Sequence, residues 1–188
     1  MENKKHLVCP MGVAGLLDSK LRRMFHNPNK ILKPFISKNI TALDIGCGPG
    51  VFSIEIAKLL EGTGKVISVD MQEGMLNILK NKISGKPIEK IITLHKCTQN
   101  NLCIKENVDF VLMFYMIHEV PNKENLFKEV LPLINENGLL MIVEPGIISV
   151  KEFDRMINII KQYGFMEYRK LKILFSKGMV FKKSKNMA

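Results

Sequence analysis

Long apolar runs are missing from this chain, and so are the paired cysteine and histidine spacings of metal sites. No stretch approaches the ~20 apolar residues that carry a helix across a bilayer, so no membrane partner is expected. The N-terminal "MENKKHLVCPMGVAGLL" imitates a secretory leader by placing lysines before an apolar patch. Cys9, Pro10 and Gly12 break that patch, and "LLDSKLRR" stands where a cleavage site belongs, so an uncleaved cytoplasmic chain is expected. Arginine is scarce as well: Arg22, Arg23, Arg155 and Arg169 are the whole set, and aromatic residues make up 7% of the chain. The net charge of +10 is therefore almost all lysine, scattered rather than striped. Arginine forks and stacking aromatics carry much of nucleic-acid recognition, so this balance argues against a nucleic-acid partner. Cys9, Cys47, Cys97 and Cys103 follow no framework spacing and read as free, mostly buried thiols. His6 and Cys9 would make half a metal site, but structural zinc takes four ligands and nothing completes the set, so no metal is expected. Oligomeric state has no signature here.

What is present is alternation. With 188 residues the chain has room for one ordinary domain and a small cap. From residue 39 onward, β-type runs ("ITALDI", "KVISVD", "IITLHK", "VDFVLMFY", "GLLMIVEP") alternate with helical patterns. Phe52, Ile56, Leu59 and Leu60 share a face of the first helix, and Met71, Met75, Ile78, Leu79 and Ile83 recur at helical spacing in the second. Leu126, Val130 and Leu131 do so before the fifth run. Such alternation predicts an α/β fold, a doubly wound and mostly parallel sheet, and the continuous apolar runs agree with strands covered on both faces. Ser149 and Glu152 form a capping-box signature for a last helix with Phe153, Met156, Ile157 and Ile160 inward, ending near Gly164. "MEYRKLKILFSKGMVFKK" then reads as an antiparallel hairpin turning at Ser176-Lys177-Gly178. Residues 1–38 suggest two helical pieces broken at Asn27-Pro28, a cap over the ligand-binding edge of a domain spanning 39–188; packing on an outer face is the alternative.

The chemistry concentrates in "TALDIGCGPG". A loop from the first strand into the first helix lies at the carboxyl edge, where open α/β sheets bind ligands. Gly46, Gly48 and Gly50 give G-x-G-x-G, not the G-x-G-x-x-G of dinucleotide sites, and no Gly-Lys-Ser/Thr follows to make a P-loop. Asp44, two residues before the first glycine, would repel phosphate and suits an ammonium group. Asp70 closes the second strand and is placed to accept from both hydroxyls of a ribose. Ribose at one end and a cation at the other describes S-adenosylmethionine.

"LDIGCGPGVFSIEIAK" followed by "VISVDMQEGML" resembles the first two motifs of the class I S-adenosylmethionine-dependent methyltransferases, and is most similar to the group containing the ubiquinone/menaquinone methyltransferases. The resemblance covers about residues 39–145. It implies a seven-stranded sheet whose antiparallel C-terminal hairpin supplies the last strand. It also implies that Asp44, Gly46, Cys47 and Gly48 line the methionine end, with Gly50 in the same loop, Asp70 on the ribose, Met71 against adenine and Phe114 at the end of the fourth strand. That family's third motif carries an acid for the adenine amino group; Thr98 stands in its place here, with Gln99 next, and either side-chain oxygen can accept.

Methyl transfer from a sulfonium needs alignment of acceptor, methyl and sulfur, and exclusion of water. "MFYMIHEVPNK" would face the methyl group, and it lacks the Asn/Asp-Pro-Pro-aromatic motif of adenine amino methylation. His118 is the acid/base candidate, beside Glu119; a role at a helix start is the alternative. Tyr115 would orient an acceptor or form an aromatic wall, and His6, Cys9 and His26 are further candidate acceptor contacts. A metalloid acceptor held by Cys9, Cys97 and Cys103 is a minority reading. The expectation is transfer to a small-molecule acceptor, with a non-catalytic S-adenosylmethionine-binding partner or regulator as the alternative.

Overall fold

The computed structural model describes residues 26–183. His6, Cys9 and most of the expected cap lie outside them. The described chain starts with a short helix, α1 (Pro28–Leu32), whose N-cap Asn27 accepts from Lys30 N through its side chain while Pro28 fills the first turn. Then come β1 (Thr41–Ile45), α2 (Val51–Leu59), β2 (Lys65–Asp70), α3 (Glu73–Ile83), β3 (Ile92–Lys96), β4 (Val108–Phe114), α4 (Lys123–Val130), β5 (Ile134–Pro145), α5 (Val150–Gln162), β6 (Phe165–Leu171) and β7 (Ser176–Lys183).

The strands form one seven-stranded sheet in the order β3-β2-β1-β4-β5-β7-β6. β1 pairs in parallel with β2 on one side and β4 on the other, so the strand order reverses there and the carboxyl edge splays into a crevice. β7 alone runs antiparallel, between β5 and β6. Alternate strand residues feed two cores. Ala42, Val66, Phe110 and Leu112 face α1, α2 and α3 through Leu32, Ile56, Leu79 and Ile83. Leu43, Ile67, Val111 and Ile142 face α4 and α5 through Phe127, Val130, Met156 and Ile160. Apart from the small Ala42, each of these side chains is essentially removed from water, worth about 2 kcal/mol apiece. This is the doubly wound arrangement expected from the alternation.

Local signals also hold. Ser149 caps α5 by accepting from Glu152 N at 3.1 Å, and the helix ends at Tyr163 before Gly164 at φ +80°. Within α3 the buried set is Met75, Leu76, Leu79 and Ile83; Met71 precedes the helix and Ile78 is half-buried. The hairpin turn is displaced. Ser176, Lys177 and Gly178 belong to β7, and the chain reverses at residues 172–175 instead. Gly178 is there for packing: a Cβ on it would sit 3.0 Å from Leu171 Cβ on the neighbouring strand.

Candidate active site

The loop after β1 is fastened to the end of β2. Gly46 N and Cys47 N both donate to Val69 O, at 2.8 and 3.0 Å. Asp70 completes the fastening: Oδ2 accepts from Gly48 N and Oδ1 from Gln72 N, each at 2.8 Å. Burial pushes the Asp70 carboxyl above its ordinary range, and the backbone donors of Gln72, Gly48 and Met71 oppose that rise. At Gly50 the backbone is left-handed, φ +81°, and a Cβ would fall 2.1 Å from Leu79 Cδ1. Gly50 therefore starts α2 against α3 and does not line the crevice. Gly48 is the opposite case: a Cβ there would meet nothing within 4 Å, so its backbone is open to a ligand.

Asp44 lies under this loop, 2% exposed, with Ser53 Oγ donating to its Oδ2 at 2.6 Å. Burial raises its carboxyl from 3.8 to about 7, the Asp70 charge adds to the rise, and the Ser53 hydrogen bond opposes it. Without a cation beside it, Asp44 is thus partly protonated at neutral pH, a state that its sequence position did not announce. Cys47 is buried and its thiol is pushed well above its usual value, chiefly by desolvation. It serves as a neutral wall.

A crevice of about 650 Å³ opens over these groups, the size of a cofactor site. Met71, Thr98 and Gln99 line the part beyond β2 and β3. Thr98 N and Oγ1 both face Asn101 O, at 3.0 and 3.2 Å, so the hydroxyl donates there and keeps lone pairs for accepting. Phe114 stacks on Phe52 at 4.2 Å and forms an aromatic floor. Tyr115 follows with φ +57°, a left-handed conformation that costs a non-glycine residue about 1–2 kcal/mol. Its N–H donates to Val143 O at 2.8 Å, and its hydroxyl meets His26 Nε2 at 3.0 Å and, closely, Ser176 Oγ.

His118 lines the same crevice and is held from behind by a residue that sequence reasoning did not single out. Glu144 closes the apolar core of β5 and is fully buried. It accepts from Ile117 N at 3.0 Å, from His118 N at 3.2 Å and from His118 Nδ1 at 2.7 Å. A carboxylate only accepts, so Nδ1 carries the proton and neutral His118 presents Nε2 as a base. The Glu144 hydrogen bond raises the His118 pKa, burial opposes it, the charges of Glu144 and Glu119 add to it and Lys123 lowers it. Glu119, the neighbour noted in the sequence, is a looser partner with Oε1 3.9 Å from Nε2.

Cys97 lines the crevice but burial lifts its thiol to about 11, Cys103 is exposed, and Cys9 lies outside the described residues. Among the described residues no three His, Cys, Asp or Glu side chains gather as a metal site. No lysine or arginine among them lines the crevice either, so nothing there clamps a diphosphate.

A family model described as "Methyltransferase domain" matches residues 36–172. The chain belongs to that family. It is 28% identical over 137 residues to the demethylmenaquinone methyltransferase of Lactobacillus johnsonii, covering 72% of this chain and 53% of the relative. To the demethylmenaquinone methyltransferase of Symbiobacterium thermophilum it is 29% identical over 129 residues, 68% of this chain and 48% of the relative. It therefore spans about half the length of the curated relatives that it matches. In fold it is similar to a SAM dependent methyltransferase from Aquifex aeolicus, with a TM-score of 0.82, 22% identity and coverage of 93% of this chain and 99% of the other. The likeness in fold agrees with the class I architecture expected from the sequence, for which S-adenosylmethionine is the expected cofactor. The crevice fits that molecule: open backbone at Gly48, paired carboxylates at Asp44 and Asp70, and no phosphate clamp among the described lining residues. No helix among the described residues is long and apolar enough to cross a membrane.

Proposed function

We propose that this methyltransferase methylates a small-molecule acceptor by direct displacement, with His118 as the proton acceptor. The observation that carries the reading is the Glu144–His118 pair at the wall of the crevice, 2.7 Å apart, with Nε2 left to accept a proton. The matching relatives, named for demethylmenaquinone, support a small-molecule acceptor.

When bound, S-adenosylmethionine supplies a methyl group on a positively charged sulfur. Asp44 would pair with the ammonium, and Asp70 would accept from the ribose hydroxyls while keeping its hold on the loop. Gly46, Cys47 and Gly48 would wall the methionine end, and Met71, Thr98 and Gln99 the adenine end. Phe114 on Phe52 keeps the floor dry. Tyr115 bounds the acceptor side, its ring fixed by Ser176 and His26. His118 Nε2 takes the acceptor's proton as the nucleophile commits, and Glu144 stabilises the resulting imidazolium. Positioning by these groups, not covalent catalysis, supplies the rate.

The test pairs binding with turnover. Calorimetry with S-adenosylhomocysteine should show a site that Asp70→Ala weakens. Labelled S-adenosylmethionine with a small-molecule extract should yield a methylated product that His118→Ala suppresses without loss of cofactor binding. Label appearing only in RNA would remove the small-molecule acceptor. Binding with no labelled product in any fraction would make the domain a cofactor-binding regulator.

A further inference from the structure

The wall proposed for the adenine end is a loop, residues 97–107 between β3 and β4. A bridge between Thr98 and Asn101 closes its tip, with Asn101 O taking both Thr98 N and Thr98 Oγ1, at 3.0 and 3.2 Å. These bonds shape the tip but do not fix its place over the sheet. Thr98 stands where the related motif carries an acid, and a hydroxyl or carboxamide oxygen makes a weaker bond than a carboxylate. Such an acceptor tells an amino group from a carbonyl oxygen only where it is held in place.

The hold comes from α4. Glu129 reaches across from that helix, and its Oε1 accepts from Leu102 N at 2.7 Å and from Cys103 N at 3.3 Å. One turn earlier, Asn125 Nδ2 donates to Asn100 O at 3.3 Å. Both side chains line the crevice together with the loop. Leu102 is buried in the core that contains Leu126, Phe127 and Val130 of α4, and His95 Nε2 on β3 donates to Leu102 O at 2.9 Å. Cys103 is left-handed at φ +56°, a conformation that a non-glycine residue keeps only where its surroundings impose it. Its N–H is shared between Asn101 Oδ1, at 2.6 Å, and Glu129 Oε1. Of the side chains that hold the loop, Glu129 brings the carboxylate and with it the stronger bond.

We propose that Glu129 is a positioning residue for base selection: through Leu102 and Cys103 it sets Thr98 and Gln99 against the adenine amino group. The inference rests on the reading that Thr98 and Gln99 wall the adenine end. Glu129 acts through the loop and not on the base. Its helix follows directly on the segment that carries His118, so the adenine wall and the His118 wall share one support.

Calorimetry with two ligands tests this. Wild type should bind S-adenosylhomocysteine at least ~10-fold tighter than S-inosylhomocysteine, in which a carbonyl oxygen replaces the amino group. Glu129→Met keeps the stem and the helix propensity but removes the acceptor, and the ratio should fall to within about threefold. Glu129→Gln, whose carboxamide oxygen can take the Leu102 N–H, should keep most of the preference. Without ligand, the Leu102 and Cys103 amides should exchange at least ~10-fold faster in Glu129→Met than in wild type. Equal loss of affinity for both ligands in Glu129→Met, with the ratio intact, makes the residue merely structural and overturns the proposal. So do wild-type exchange rates at those two amides. The double variant Thr98→Val, Gln99→Ala separates the two readings. If it collapses the preference and Glu129→Met does not, the positioning role alone falls. If the preference survives it, or wild type has none, the adenine reading falls and takes the proposal with it.

Discussion

Asp44→Asn probes the electrostatics under the glycine loop, because it removes one titrating proton and keeps the shape. Burial lifts the folded-state carboxyl to about 7, against 3.8 for the same group in water. Between those values the folded chain holds a proton that the unfolded chain has released. A carboxyl raised in this way stabilises the fold fully below its ordinary pKa, and that contribution disappears as pH climbs through 7. The gap is worth about 4 kcal/mol across the window. Asn cannot ionise, and its carbonyl can take the Ser53 hydroxyl that Asp44 Oδ2 takes at 2.6 Å. Denaturant unfolding from about pH 4 to pH 8.5 should therefore show the variant gaining on wild type as pH rises, reaching about 4 kcal/mol, or about 10 °C in Tm. S-adenosylhomocysteine should then stabilise wild type far more than the variant, which lacks the proposed partner for the ammonium. Parallel pH curves, or a variant that weakens with rising pH, would refute the reasoning.

Three further outcomes follow from the same geometry. Glu144→Gln removes the main cause of the raised His118 pKa, so that pKa falls; the proposed mechanism uses neutral His118, so it expects the acid limb of kcat/KM to move to lower pH. The His118 ring-proton NMR titration should move the same way, and an unmoved titration counts against the pair. Asp70→Ala removes the acceptor proposed for two ribose hydroxyls, and two charge-assisted hydrogen bonds predict roughly 100-fold weaker S-adenosylhomocysteine binding by calorimetry; a change within about threefold would take Asp70 off the ribose. Gly50→Ala places a methyl 2.1 Å from Leu79 Cδ1 at φ +81°, and unfolding should show a loss of about 3 kcal/mol; no loss would mean that α3 yields.

The parallel half of the sheet was legible because each apolar run is followed by a helical period, a pattern with few topological solutions. The glycine loop was legible from the spacing of its acids and glycines, which are close in the chain. Glu144 was not. It reaches His118 from 26 residues away, and a carboxylate at the end of an apolar strand has no local mark of its partner. The same limit hid Ser53 under Asp44, and the meeting of His26, Tyr115 and Ser176 from three distant parts of the chain. The hairpin was misplaced for a different reason. Ser-Lys-Gly carries turn chemistry, but Gly178 answers to the Leu171 side chain across the sheet, and tertiary packing overrode local preference.

The position of β7 has a consequence during synthesis. It is the last of the described strands to leave the ribosome, yet it sits between β5 and β6 and carries Ser176 to Tyr115. Until it emerges, β5 presents a bare edge, and Val180 and Phe181 are missing from the two cores. A nascent or prematurely stopped chain therefore exposes a sticky strand flank, which invites aggregation and chaperone capture. Quality control can thus discard an unfinished polypeptide before the Tyr115 side of the crevice is complete.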